Sequence, residues 1–175
     1  MRFLFGKIRG IDPLVPTSLG RNENKFSLRS LLVGISDFFK EQHLIGFLRA
    51  HRAHLVPHAK GPFLDHLIGT YKLLKKWGCE KEVCYAGLFH SIYGTQIFKH
   101  QTLSYKDRNK IKKLIGERAE HLAYLFSVSD RPRAFEEAKK TLKIYDTNEN
   151  RDILISEKDI ESLQKIERAN LVEQR

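Results

Sequence analysis

Apolar residues recur at intervals of three and four along most of the chain from Leu28 to Val172, the period of helices that turn one stripe toward a core. Leu28, Leu31, Leu32, Ile35, Phe38 and Phe39 form the first series, with Ser27 placed as an N-cap. Leu44, Phe47 and Leu48 continue it until Pro57, Gly61 and Pro62 break it. The spacing predicts a second helix over 62–77, opened by Pro62 and closed by Gly78, on which His66 shares a face with Phe63, Thr70, Leu73 and Trp77. A third is expected over 80–91, with Val83, Ala86, Gly87 and His90 on one side; the small pair Ala86 and Gly87 would let a neighbouring helix approach closely. Ser104 and Asp107 resemble a capping box ahead of a helix whose apolar face is Ile111, Leu114 and Ile115. Gly116 separates this from a helix over 117–128 striped by His121, Leu122, Leu125 and Val128. Two more helices are expected over 134–145 and 157–172, the second behind a Ser156 and Asp159 cap, with a turn or loop at 147–152 and a short extended piece at 153–155 between them. Residues 1–25, with Pro13, Pro16, Gly20, Asn22 and Asn24, show no sustained period and read as an irregular arm.

The pattern therefore predicts an all-α, single-domain helical bundle: an irregular N-terminal arm over 1–25, a helical domain over 26–146, and a C-terminal helical extension over 147–175 packed on the same domain. A length of 175 residues with 41% hydrophobic content is enough for one core. No stretch approaches the roughly 20 apolar residues of a membrane span, and Phe3-Leu4-Phe5 is too short for a signal-peptide core. Cys79 and Cys84 are neither a zinc-binding pair nor a disulfide framework, so they read as reduced thiols of a cytoplasmic protein.

Charge adds a surface property. The formal net charge is +10, and residues 131–175 are balanced at 10 basic and 10 acidic, so the excess lies in the first 130 residues. Such a field favours phosphorylated molecules, nucleic acid or an acidic partner without choosing among them. Lys106, Arg108, Lys110, Lys112 and Lys113 read as the solvated face of their helix or as phosphate contacts, and no aromatic interleaving points to base recognition.

The candidate chemistry begins at His90, which ends the apolar run Tyr85-Ala86-Gly87-Leu88-Phe89 and precedes Ser91-Ile92-Tyr93-Gly94-Thr95. If the helices meet through Ala86 and Gly87, His90 meets His66. Two imidazoles with an aspartate such as Asp130 suit a divalent transition metal, Zn, Mn or Fe, better than calcium or magnesium. The same histidines also read as hydrogen-bonded core residues, and Asp130 as a helix-end residue beside Arg131. Ser91 as a nucleophile with His90 as its base is disfavoured, because adjacent side chains at a helix end point apart; a backbone hydrogen bond at the turn suits it better. Tyr93, Gly94, Thr95 and Phe98 either line a pocket mouth or form an ordinary turn.

The order His66, then His90-Ser91 24 positions later, then Asp130 another 40 on resembles the HD superfamily of metal-dependent phosphohydrolases, whose order is H, H-D, D. The stretch Leu64 to Arg131, with Ala86-Gly87-Leu88-Phe89-His90-Ser91-Ile92-Tyr93-Gly94-Thr95, is similar to an HD-like domain of unknown function that carries the same His-Ser variant. The resemblance implies an HD-like bundle, with His66, His90 and Asp130 as metal ligands and a nucleotide or phosphorylated small molecule as substrate. It places His121 as auxiliary ligand or proton carrier, ahead of His58 and His54 and sharing a face with Glu117. On this reading Ser91 and Tyr93 are expected among the catalytic residues with His121, and Lys99 and Lys106 as anion contacts. Ser91 stands where the family has the aspartate that bridges two metals, which puts a two-metal centre in doubt. Two alternatives follow: a catalytically silent HD-like module that binds an acidic partner or nucleic acid, and an iron-dependent oxygenase on the same scaffold.

Overall fold

Proline and glycine set the limits of the helices that carry the core. The computed structural model describes residues 28–175, so the expected arm and the Ser27 cap lie outside the described residues. The chain divides into two units, residues 1–36 and 37–175. Helix α1 (Leu28–Ala50) begins in the first, where Leu28, Leu31, Leu32, Val33 and Ile35 are exposed. Within the second unit Phe38 and Phe39 are exposed as well, and α1 buries only Leu44 and Leu48. A tight hairpin, β1 (Pro57–His58) against β2 (Gly61–Pro62), follows.

Helix α2 (Phe63–Lys76) starts directly after Pro62, whose extended backbone suits the N-cap, and ends near Gly78 in the left-handed region at φ 69°. Helix α3 (Lys81–Phe89) packs antiparallel in sequence order against it, with His90 as its C-cap. Their seam is as tight as the small residues predicted: a Cβ added to Gly87 would lie 2.2 Å from Leu74 Cδ1 and 3.6 Å from Thr70 Cγ2. The Ser104 capping box forms as expected, the Ser104 hydroxyl accepting from the Lys106 amide at 3.1 Å and Asp107 accepting from the Ser104 amide at 3.0 Å. It opens a single 3-10 turn that leads into α4 (Arg108–Ile115). Gly116, at φ 95°, then turns the chain into α5 (Glu117–Val128).

Helix α5 is buried along most of its circumference, including Leu122, Ala123, Tyr124, Leu125 and Phe126. That burial takes Glu120 with it. Arg108 grips the Glu120 carboxylate with two bonds of 2.7 and 3.0 Å while stacking 3.5 Å over the Tyr124 ring.

One expected helix is shorter than its pattern. Helix α6 (Arg133–Thr141) stops where Leu142 enters the left-handed region, and Lys143–Asp146 becomes strand β3, paired antiparallel with β4 (Arg151–Leu154). The Asp146 carboxylate accepts the Asn148 and Glu149 amides at 2.8 and 2.9 Å, which closes the turn, and Ile144, Tyr145 and Ile153 suit a strand. Arg151 and Asp152, expected in the loop, lie in β4. Helix α7 (Glu157–Glu173), capped by Ser156, then lies against α2, α3, α5 and α6. The described chain is thus mostly α-helical, with seven α-helices and two small hairpins. No helix of the described residues is long and apolar enough to cross a membrane.

Candidate functional site

Three helices converge on one buried point. Helix α2 contributes His66, the C-cap of α3 contributes His90, the last turns of α7 contribute Asn170 and Glu173, and its C-cap contributes Gln174. The His66 and His90 Nε2 atoms lie 3.3 Å apart, with His90 fully buried and His66 nearly so. His90 Nδ1 is 2.7 Å from the Gly87 carbonyl. A carbonyl only accepts, so Nδ1 carries the hydrogen and, in the neutral ring, Nε2 keeps a lone pair. His66 Nδ1 faces the Glu173 carboxylate in the same way. With one hydrogen on His66, its Nε2 is a lone pair too; with two, it is an imidazolium that donates across the gap to His90.

A third electron pair faces the same point. Asn170 Oδ1 is 3.3 Å from His90 Nε2 and accepts from Gln174 Nε2 at 2.9 Å, while Asn170 Nδ2 donates to Glu167 at 3.4 Å. Burial pushes the His90 imidazole well below its ordinary pKa, helped by repulsion from His66 and Arg131 and opposed by the Gly87 hydrogen bond.

Aromatic rings wall the pair. His58, held by the β1–β2 hairpin, stacks on His66 with centroids 4.3 Å apart, and Phe126 meets His90 edge-on at 4.9 Å. Burial and the neighbouring His66 lower the His58 pKa, with Glu173 opposing. A small cleft of about 100 Å³ opens on His66 and Glu173. A larger one of about 330 Å³ is lined by His58, Ser91, Phe98, Arg131, Asn170 and Gln174. The Arg131 side chain is 7% exposed, bonds Glu167 at 2.5 Å and stacks 3.9 Å over Phe126. Its buried Nε has no hydrogen-bond partner.

The expected site residues divide into those at this point and those elsewhere. His66 and His90 come together, and Ser91 is buried in the wall of the larger cleft, its carbonyl accepting the Gly94 amide at 3.1 Å. Asp130 does not join them. After α5 the backbone of Ser129 is extended, and Asp130 turns outward to a separate groove with Arg133, Glu137 and Lys143, while the next residue, Arg131, turns into the cleft. His121 is half-buried on α5 among the charges of Asp159, Arg108 and Glu120, and burial lowers its pKa. Glu117 on the same helix is exposed and pairs with Lys112 at 3.0 Å. Tyr93 donates to Glu120 at 3.1 Å, which makes it part of the Arg108 network. Lys99 is exposed at a third groove beside Tyr93 and Gly94, and Lys106 and His54 are exposed.

Asn170, Glu173 and Arg131 were not singled out from the sequence. A signal was present: Glu167, Asn170 and Glu173 interrupt the buried stripe of Leu163, Ile166 and Ala169 at helical spacing, as polar side chains do when they serve a buried partner.

Among the described residues, no group of three or more His, Cys, Asp or Glu side chains is placed to hold a metal ion. A family model described as Domain of unknown function (DUF6817) matches residues 47–131, which contain both histidines and end before α7. No curated protein and no solved structure matches the chain.

Proposed function

We propose that this chain is a metal-dependent hydrolase of a nucleotide or phosphorylated small molecule, with His66 and His90 holding the ion. The observation that carries the reading is where the ring hydrogens go. Both Nδ1 atoms face acceptors, a carboxylate and a backbone carbonyl, which is how metal-ligating histidines are oriented. With both rings neutral, the two Nε2 atoms are left for a shared partner at a separation of 3.3 Å. Two nitrogens about 2.0–2.1 Å from one tetrahedral ion stand roughly 3.3–3.4 Å apart.

A bound zinc, manganese or iron ion would supply Lewis acidity toward a phosphoryl oxygen and an acidified water. The side chains would do the rest. Arg131 in the cleft wall offers a guanidinium to phosphate oxygens, Ser91 and Gln174 offer hydrogen bonds, and Phe98 and His58 exclude water. The cleft of about 330 Å³ is of the size that takes a small molecule. The HD-like order of His66 and His90-Ser91 and the net charge of +10 support the same reading.

Metal content of the purified protein and of His66→Ala and His90→Ala is the first test, followed by phosphate release from a nucleotide and phosphomonoester panel without oxygen. Stoichiometric metal lost in both variants, with anaerobic phosphate release, is the expected result. Activity that needs oxygen and iron would replace hydrolysis by oxygenation. A second reading, a catalytically silent binding module, is favoured by the lack of an acidic third ligand among the described residues; metal-free protein with unchanged folding in both variants would establish it over the hydrolase.

A further inference from the structure

We infer that the amide oxygen of Asn170 is the third protein ligand of the His66–His90 ion, in the place that the sequence pattern gives to Asp130, with Glu173 as the positioning residue for His66. The inference rests on the metal-binding reading above and adds to it a donor from α7. Asn170 Oδ1 is as far from His90 Nε2, 3.3 Å, as the two imidazole nitrogens are from each other. That is again the edge of a tetrahedron around one ion.

The amide is held with its oxygen toward the histidines. Gln174 Nε2 donates to Oδ1 at 2.9 Å and uses one of its two lone pairs, and Asn170 Nδ2 donates to Glu167 at 3.4 Å. Glu167 is itself fixed by Arg131 at 2.5 Å. The contact between Oδ1 and His90 Nε2 therefore sets one acceptor against another, since His90 carries its hydrogen on Nδ1 toward Gly87. Without a cation or an added proton between them such groups repel each other in a buried place, where water does not screen them. Asn170 is 7% exposed and cannot turn its oxygen to bulk solvent while those bonds hold.

The donor set this gives is neutral, two imidazoles and one amide. Such a set suits borderline ions such as zinc or cobalt more than magnesium or calcium, which take mostly oxygen. Negative charge enters only from behind, through Glu173 on His66 Nδ1 and through Glu167 on Asn170 Nδ2. A carboxylate in the first of these positions makes the imidazole a better donor and fixes its plane. Helix α7 would then be part of the centre, not a cover over it.

Cobalt(II) titration of the full chain, followed by visible absorption, tests the assignment. The wild type is expected to bind one ion with ligand-field bands, and His66→Ala and His90→Ala to lose both. Asn170→Ala should bind at least tenfold more weakly with altered bands, whereas Asn170→Asp, made in a Glu167→Gln background so that its second oxygen does not face a carboxylate, should bind more tightly than Glu167→Gln alone. Glu173→Gln should weaken binding by about 10–100-fold with band positions kept, because it acts through the far ring nitrogen. Should Asn170→Ala fail to fold, the direction of the Asn170→Asp change decides. Wild-type affinity and spectrum in Asn170→Ala, or no gain from Asn170→Asp in the Glu167→Gln background, would overturn the Asn170 assignment and leave the histidine pair standing. No binding by wild type, or full binding by the histidine variants, would overturn both.

Discussion

The His66 imidazole and the Glu173 carboxylate are 107 residues apart in the chain and in direct hydrogen-bond contact. Their bond ties α2 to α7 at the point where the second imidazole, His90, arrives from the end of α3. The candidate centre therefore joins the second helix of the described residues to the last. The segment matched by the family model holds its histidines but not its Asn170 or Glu173.

Acid should unfold the metal-free protein earlier than its surface charge alone explains. His90 has its folded pKa well below the ordinary 6.5, so between those two values the unfolded chain binds a proton that the folded chain does not. Stability is then full above pH of about 6.5 and falls as pH drops toward the depressed folded value, by at most about 1.4 kcal/mol per pH unit for this group. His58 and His121, shifted in the same direction, add to the slope. Urea unfolding between about pH 7 and 5 should show the decline, with a shallower slope in His90→Gln. Parallel curves for the two proteins would contradict it.

Gly87→Ala should destabilise the fold and disturb the centre together. The new methyl meets Leu74 Cδ1 in a fully buried seam, so the seam must open or Leu74 must leave its rotamer, at a cost of about 1–3 kcal/mol. Since the Gly87 carbonyl also holds His90 Nδ1, metal affinity should fall in the same variant. Thermal unfolding and metal titration read the two effects, and adding Leu74→Ala, which makes room, should recover part of the second. Unchanged stability in Gly87→Ala would show that the seam is looser than described.

Arg108→Ala should cost more than Glu120→Gln. Removing the arginine leaves a fully buried carboxylate with Tyr93 as its remaining partner, a loss of about 3–5 kcal/mol by the usual cost of stranding a buried charge. Removing the charge of Glu120 leaves a guanidinium that is a quarter exposed and still stacked on Tyr124. Denaturant midpoints of the two variants give the order, and the reverse order would refute the account.

Asp130→Ala and Ser91→Asp should part company. Asp130 is exposed at another groove, so its loss should leave metal content unchanged and stability within about 0.5 kcal/mol. Ser91 lines the cleft beside Asn170, where a new carboxylate would raise metal occupancy or admit a second ion. Metal analysis of both proteins checks the pair of statements. Metal lost in Asp130→Ala would restore Asp130 to the centre.

The helices were legible because their periodicity, caps and breakers agree: Pro62, Gly78, Ser104, Gly116 and Ser156 each mark an end in the sequence and in the structure. The meeting of His66 and His90 was legible for a second reason, the small residues at 86 and 87. Two things were not. The apolar series on the first part of α1 promised burial, and Leu28 to Phe39 are largely exposed, because periodicity reports a stripe and not what covers it. Asp130 was placed by the resemblance to the HD order of residues, but a residue just past a helix end is aimed by one or two backbone angles at Ser129, which no order of residues encodes. The α7 contribution was hidden because Asn170 and Glu173 are common on any helix and gain meaning only from what they face.

The extended residue at the end of α5 works as a selector of charge. The chain then turns tightly at Asp130, the Arg131 amide donating to the Ser129 carbonyl at 3.1 Å, and Asp130 and Arg131 serve two different grooves although they are neighbours in the chain. One residue inserted at Ser129 would slide the carboxylate to where the guanidinium now stands, and the cleft beside the histidines would be lined by a negative charge in place of a positive one.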